Sequence, residues 1–134
     1  MRVPLIIRLA VVATVAESGY VHASLYVHGY RFLTLIGPMF LLQAAVSFAV
    51  AALLLFGGPP ILELAAAGTA LGALGGFVLS RTVGIAGFTE RGFEPHPDAL
   101  LSVLSEIATL ALLTGLWIYG RRRRADAGVT LAGM

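Results

Sequence analysis

The sequence contains neither cysteine nor lysine, and only 12% of its 134 residues are charged. Without cysteine there are no disulfides, no thiolate catalysis and no Cys-ligated zinc or iron–sulfur centre, so any metal must be held by His, Asp or Glu. The formal charge of +2 rests on arginine alone. Most of those arginines stand near the two ends, and no basic face remains for nucleic acid, which is excluded as a partner. No Ser-His-Asp order, HExxH or phosphate-cradling glycine loop occurs. No catalytic residues are assigned, and the chain does not read as an enzyme.

Apolar residues are what the chain has in excess: 58% of it is hydrophobic, with a mean hydropathy of +0.91. Crossing a hydrocarbon core of ~30 Å takes roughly 20 apolar residues as helix. Four runs meet that length, near 4–24, 31–56, 61–80 and 99–120. The first has a competing reading as a cleaved leader, since a basic start and short apolar core precede Thr14, Ala16 and Glu17. Arg8 within the apolar run favours an uncleaved helix. In the second run Pro38 follows Gly37, a pair that predicts a kink within the span. Gly57-Gly58-Pro59-Pro60 leaves room only for a tight antiparallel return. The third run carries Gly68, Gly72 and Gly76 on one face, a device for close approach of a neighbouring helix. Glu63, in its first turn, reads as an interfacial cap.

The fold class is therefore all-α: an integral membrane four-helix antiparallel bundle, one domain over 1–124 with a short disordered tail at 125–134. Trp117 and Tyr119 followed by the arginines at 121–124 mark an exit on the cytoplasmic side. Alternation then places both termini in the cytoplasm of a multi-pass plasma-membrane protein. Arg31, Arg81 and Arg91 remain outside against six arginines inside, as the positive-inside rule asks.

Ionisable residues collect at the outer end. Asp98, Ser102, Ser105, Glu106 and Thr109 form one stripe down the fourth helix, a face that should look into the bundle. Glu106 lies roughly 12 Å below Asp98, where an unpaired carboxylate is costly. Arg81 is its expected countercharge, and Arg31 that of Glu17, read as a second buried acid. Arg81, Glu94, Glu106 and Gln43 form the candidate ligand site. Glu17, His22, His28 and Glu106 offer nitrogen and oxygen donors of the kind that hold a divalent transition metal. Tyr20, Tyr26 and Tyr30 suit the aromatic belt of the outer interface, and His96, between two prolines, reads as solvated.

At these residues the chain resembles a group of small uncharacterised four-span membrane proteins of actinobacteria and related prokaryotes. The matching elements are His22 and His28, Gln43, Ser80-Arg81-Thr82-Val83-Gly84, Glu94-Pro95 and Glu106. Val27 departs from the acid that often precedes the second histidine, and Ile85-Ala86 from the usual Leu-Pro. The resemblance implies a recurring outer-face site and no particular ligand. Three functions follow as expectations: a cation- or ligand-binding protein, an accessory subunit whose Gly68, Gly72 and Gly76 face docks a copy or partner in the bilayer, and a small transporter working as an oligomer.

The absence of native cysteine makes the orientation directly testable. In intact cells Ala125→Cys is expected to be protected from a membrane-impermeant thiol reagent and labelled only after permeabilisation; labelling from outside would reverse the topology.

Overall fold

A computed structural model describes residues 2–132, with side chains described for 4–130. It contains four long helices: α1 (Arg2–His28), α2 (Ile36–Leu55), α3 (Ile61–Arg81) and α4 (Asp98–Ala132), with one 3-10 turn at Tyr30–Phe32. All four are long and apolar enough to cross a membrane. The bundle is a ring in which α1 packs chiefly on α2 and α4, while α3 leans more lightly on α4 and α2. In a bilayer such contacts are held by van der Waals packing and interhelical hydrogen bonds rather than by the hydrophobic effect.

The helix boundaries follow from local chemistry. Residues 31–35, expected to be the start of the second span, lie outside α2, which begins at Ile36. Pro38 therefore falls in the first turn, where its missing N–H has no partner to lose, and the expected mid-span kink becomes an ordinary helix start. Gly37 fits there because a Cβ would come within 2.7 Å of the Tyr30 carbonyl oxygen. At the other end of α2, Gly57 takes φ +93. Its N–H donates to the Leu54 carbonyl at 3.2 Å and that of Gly58 to the Leu53 carbonyl at 3.2 Å, a Schellman ending that turns the chain into Pro59-Pro60 and α3.

Beyond the arginines at 121–124, α4 continues as helix to Ala132, exposed through residue 130, where a disordered tail was expected. Residues 133 and 134 of that tail lie outside the described residues. The 35 residues of α4 span about 52 Å at ~1.5 Å each, well beyond the hydrocarbon thickness.

The interior has three levels. At the end of the bundle that holds the α2–α3 turn, Val11, Val15, Val50, Ala51, Leu54, Ala66 and Leu113 form an apolar core. Here Arg8 Nη2 donates to the Gly58 carbonyl at 3.5 Å. Glu63, expected as a cap, accepts from the Trp117 indole at 2.8 Å and so ties α3 to α4. The middle level is polar, along the contact of α1 with α4. The level at the opposite end holds a cavity beneath the α3–α4 loop.

Two glycines separate close approach from open space. Gly37→Ala is expected to cost about 1–3 kcal/mol through its clash with backbone. Gly75→Ala, where an added Cβ meets nothing within 4 Å, is expected to gain ~0.4–1 kcal/mol by restricting the unfolded chain. Unfolding in mild detergent measures both.

Candidate functional site

The stripe on α4 faces α1, as its spacing predicts. Ser102, Ser105, Glu106 and Thr109 are all buried, with Glu106 and Thr109 each only 1% exposed. On α1, Thr14, Ser18 and His22 recur every four residues and oppose them. Thr109 donates to the Thr14 hydroxyl at 2.7 Å. Glu106 Oε1 accepts from Ser18 at 3.1 Å and from Ser102 at 2.9 Å. Its Oε2 is buried without a hydrogen-bond partner among the described residues. His22 Nδ1 lies 2.9 Å from the Ser18 carbonyl. A carbonyl only accepts, so Nδ1 carries the proton and Nε2 is the ring nitrogen left for another contact.

Arg81 does not meet Glu106. The ion pair among the described residues is Arg81 Nη1 to Glu90 Oε2, at 2.8 Å. The guanidinium also donates from Nη1 to Ser80 Oγ at 2.6 Å, from Nε to the Gly92 carbonyl at 2.6 Å and from Nη2 to the Glu94 carbonyl at 2.6 Å. It stacks over Phe77, 3.8 Å from the ring centre. The planar fork thus pins the α3–α4 loop at three points, which a lysine cannot do. The loop itself turns back at Ala86 and Gly87, both at positive φ, with Ile85 and Phe88 exchanging backbone hydrogen bonds. This is the geometry of a tight two-residue hairpin.

Glu90 extends this knot to the α1–α2 connection by accepting from the Tyr30 hydroxyl. Tyr30 stacks on Phe40 with 4.6 Å between ring centres and meets Phe88 edge-on at 5.6 Å. Burial first, then the hydrogen bond and charge of Glu90, hold the Tyr30 phenol well above its ordinary range. Sequence reasoning placed Tyr30 in an aromatic belt and left Glu90 out of the site. Residues 60 apart reveal their pairing only through the fold.

Between the Arg81 knot and the polar seam lies a cavity of about 110 Å³. Leu25, Ile36, Met39, Phe40, Phe77, Ile85 and Phe88 make its wall apolar, while His22, Gln43, Ser80 and Ser102 bring polar groups to it. Gln43 donates to the Thr69 carbonyl at 3.0 Å, bracing α2 against α3. Gly72 and Gly76 also line the cavity, and a Cβ on Gly68, Gly72 or Gly76 would meet nothing within 4 Å. These glycines make no close helix approach within the chain. Two of them provide room.

The proposed metal donors are dispersed. His22 and Glu106 flank Ser18, but His28 is exposed and bonds back to the Ser24 carbonyl at 2.8 Å. Glu17, expected to be buried, is exposed on the opposite side of α1. Its expected partner Arg31 instead lies over Phe32, 4.6 Å from the ring centre. Among the described residues no three His, Asp or Glu side chains gather in a metal-holding arrangement. Glu94 is exposed and contributes its carbonyl to Arg81, while its carboxylate accepts from the His96 N–H at 3.4 Å. His96 is exposed, as expected. No family model, no curated protein and no solved structure matches this chain.

The separation of Arg81 from Glu106 sets two contrasting double-mutant cycles. Arg81→Gln and Glu106→Gln are expected to add within about 0.5 kcal/mol, whereas Arg81→Gln and Glu90→Gln are expected to be coupled, each alone costing about 1.5–3 kcal/mol. Arg81→Lys should be nearly as harmful as Arg81→Gln. Additive losses at Arg81 and Glu90 would break the assignment.

Alkaline titration supplies an independent check. Because the folded phenol of Tyr30 is raised above its ordinary value of 10.0, the folded state holds the proton longer than the unfolded chain does. Its contribution is fully present below pH 10 and is lost as pH rises through the raised value. Tyr30→Phe should flatten that alkaline decline in unfolding measurements.

Proposed function

We propose that this four-span protein sits in the plasma membrane with both termini cytoplasmic and binds, from the outer side, a small apolar molecule bearing one cationic or hydrogen-bond-donating group. One observation carries the reading: the apolar-walled cavity is lined by Ser102, whose hydroxyl donates to the buried Glu106 carboxylate. The second oxygen of that carboxylate is unpartnered among the described residues.

The chemistry divides along the depth of the site. Aromatic and aliphatic walls take the apolar body by area and shape. A donor head directed inward would meet the cavity-lining acceptors His22 Nε2 and the Gln43 carbonyl oxygen, with the Glu106 carboxylate behind Ser102 as the charge that favours a cation. Glu106 has no ion-pair partner among the described residues, and a carboxylate at this depth gains more from a bound cation than it would in water. The Arg81 knot then acts as a roof. Its guanidinium is committed to the loop, so Arg81 shapes the entrance rather than touching the ligand. The inner apolar core closes the path toward the cytoplasm, which favours binding over conduction.

A cavity near 110 Å³ is smaller than the ~150 Å³ apolar cavity that accommodates benzene, so a single small ring is the upper limit for the apolar body it takes. Benzylammonium and its neutral counterpart benzyl alcohol are therefore suitable probes. Benzylammonium is expected to raise the unfolding temperature of the purified protein in detergent more than benzyl alcohol does. Gly76→Leu should fill the cavity and abolish the response to both while the protein stays folded. Glu106→Gln should erase the preference for the cation. Absence of stabilisation by either probe at millimolar concentration, or a response unchanged in Gly76→Leu, would overturn the reading.

A further inference from the structure

Glu17 is the one intramembrane carboxyl that the site does not use, and its position is costly. Its neighbour Gly19 abuts the middle of α2: a Cβ there would meet Ser47 Cβ at 3.2 Å and the Ala44 carbonyl at 3.4 Å. Ala44 and Ser47 are central within Ile36–Leu55, so Glu17 stands near the midplane of the span. Its side chain is exposed on the outside of the bundle, with no hydrogen bond or ion pair among the described residues. Ionisable residues inside a bilayer almost always face a bundle interior, a cavity or a partner. This one faces none of them in a single copy.

We infer that a second copy of the chain docks on this outer face of α1, so that the two Glu17 carboxyls meet across a two-fold axis. The face is continuous and helical in its spacing: Ile6, Leu9, Ala13, Glu17, Tyr20 and Val27 are all exposed. Steps of three and four residues form the seam along which a second parallel helix packs. Ala13, one turn from Glu17, is small enough to let the backbones approach there.

The identity of the partner follows from chemistry and symmetry. A carboxylic acid both donates and accepts, so two of them satisfy each other with a pair of O–H···O hydrogen bonds. An axis along the membrane normal brings a residue opposite itself at equal depth. A second copy therefore brings a matching group to Glu17 without a new residue. The exposed arginines lie in the connections at 31 and 91 or at 121–124 in the last third of α4, and none reaches the depth of Glu17. The contact lies on the far side of α1 from His22 and Glu106, so this inference stands apart from the ligand reading.

The protein as it exists can be tested in lipid bilayers and in mild detergent. Light scattering is expected to give the mass of a dimer. Glu17→Gln should keep it, because an amide also donates and accepts. Glu17→Leu should weaken self-association about tenfold, as loss of such interhelical hydrogen bonds implies. In otherwise native chains, Ala13→Cys or Tyr20→Cys should cross-link to a second copy on oxidation in membranes, and Leu71→Cys on α3 should not. A monomer with no cross-link at 13 or 20 would overturn the inference. So would a dimer indifferent to Glu17→Leu, or capture of those cysteines by a different protein.

Discussion

A polar group in hydrocarbon has no water to fall back on, and the arrangement of this bundle follows from that constraint. Ser18, Ser102 and Glu106 lie at a depth where each unpaired donor or acceptor is expensive. Ser18 donates to Glu106 Oε1 across the α1–α4 contact and Ser102 donates to the same oxygen from within α4, while Oε2 is left without a partner among the described residues. That seam accounts for why α1 packs so closely on α4, why the stripe on α4 must face inward, and why the two helices are held in one register. Apolar packing alone between two Leu- and Val-rich helices specifies register weakly, since lipid is as good a neighbour as leucine.

The end of the bundle at the α3–α4 loop is built on a second principle. There water is close, and polar groups serve to order loops rather than to avoid desolvation. Arg81 gathers the carbonyls of Gly92 and Glu94 with the carboxylate of Glu90, and Glu90 in turn holds Tyr30. One guanidinium thereby links the α3–α4 loop to the α1–α2 connection. The result is a fixed roof over a space that α3, standing off from α1, leaves unfilled. The glycines of α3 enlarge that space instead of drawing a neighbouring helix closer.

Between these two levels lies a graded environment, from a hydrated knot of charges through an aromatic-walled cavity to a buried carboxyl and then a dry core. Such a gradient suits a ligand with an apolar body and a single polar head. The exterior of α1 shows the opposite situation, a carboxyl at comparable depth with no internal partner. The same cost that folds Ser18 and Ser102 around Glu106 thus points outward at Glu17, toward another chain.

The number and antiparallel order of the helices were legible in the residues themselves, because apolar runs and the Gly57-Gly58-Pro59-Pro60 turn act locally and through the thickness of the bilayer, whereas α2 begins only at Ile36 and α4 runs on to Ala132. The inward stripe on α4 was legible too, since a helix turns through a fixed angle per residue. Pairing across the bundle was not. Arg81 has acids at Glu90, Glu94 and Glu106 within reach of any sketch of the fold, and only the hairpin at Ala86 and Gly87 brings Glu90 back to it while α4 carries Glu106 away beneath the cavity. Glu17 and Ser18 are neighbours in the chain, yet one lies on the outer face and the other in the seam. Which of two adjacent side chains is buried depends on where the other helices stand, and that is decided by tertiary packing alone.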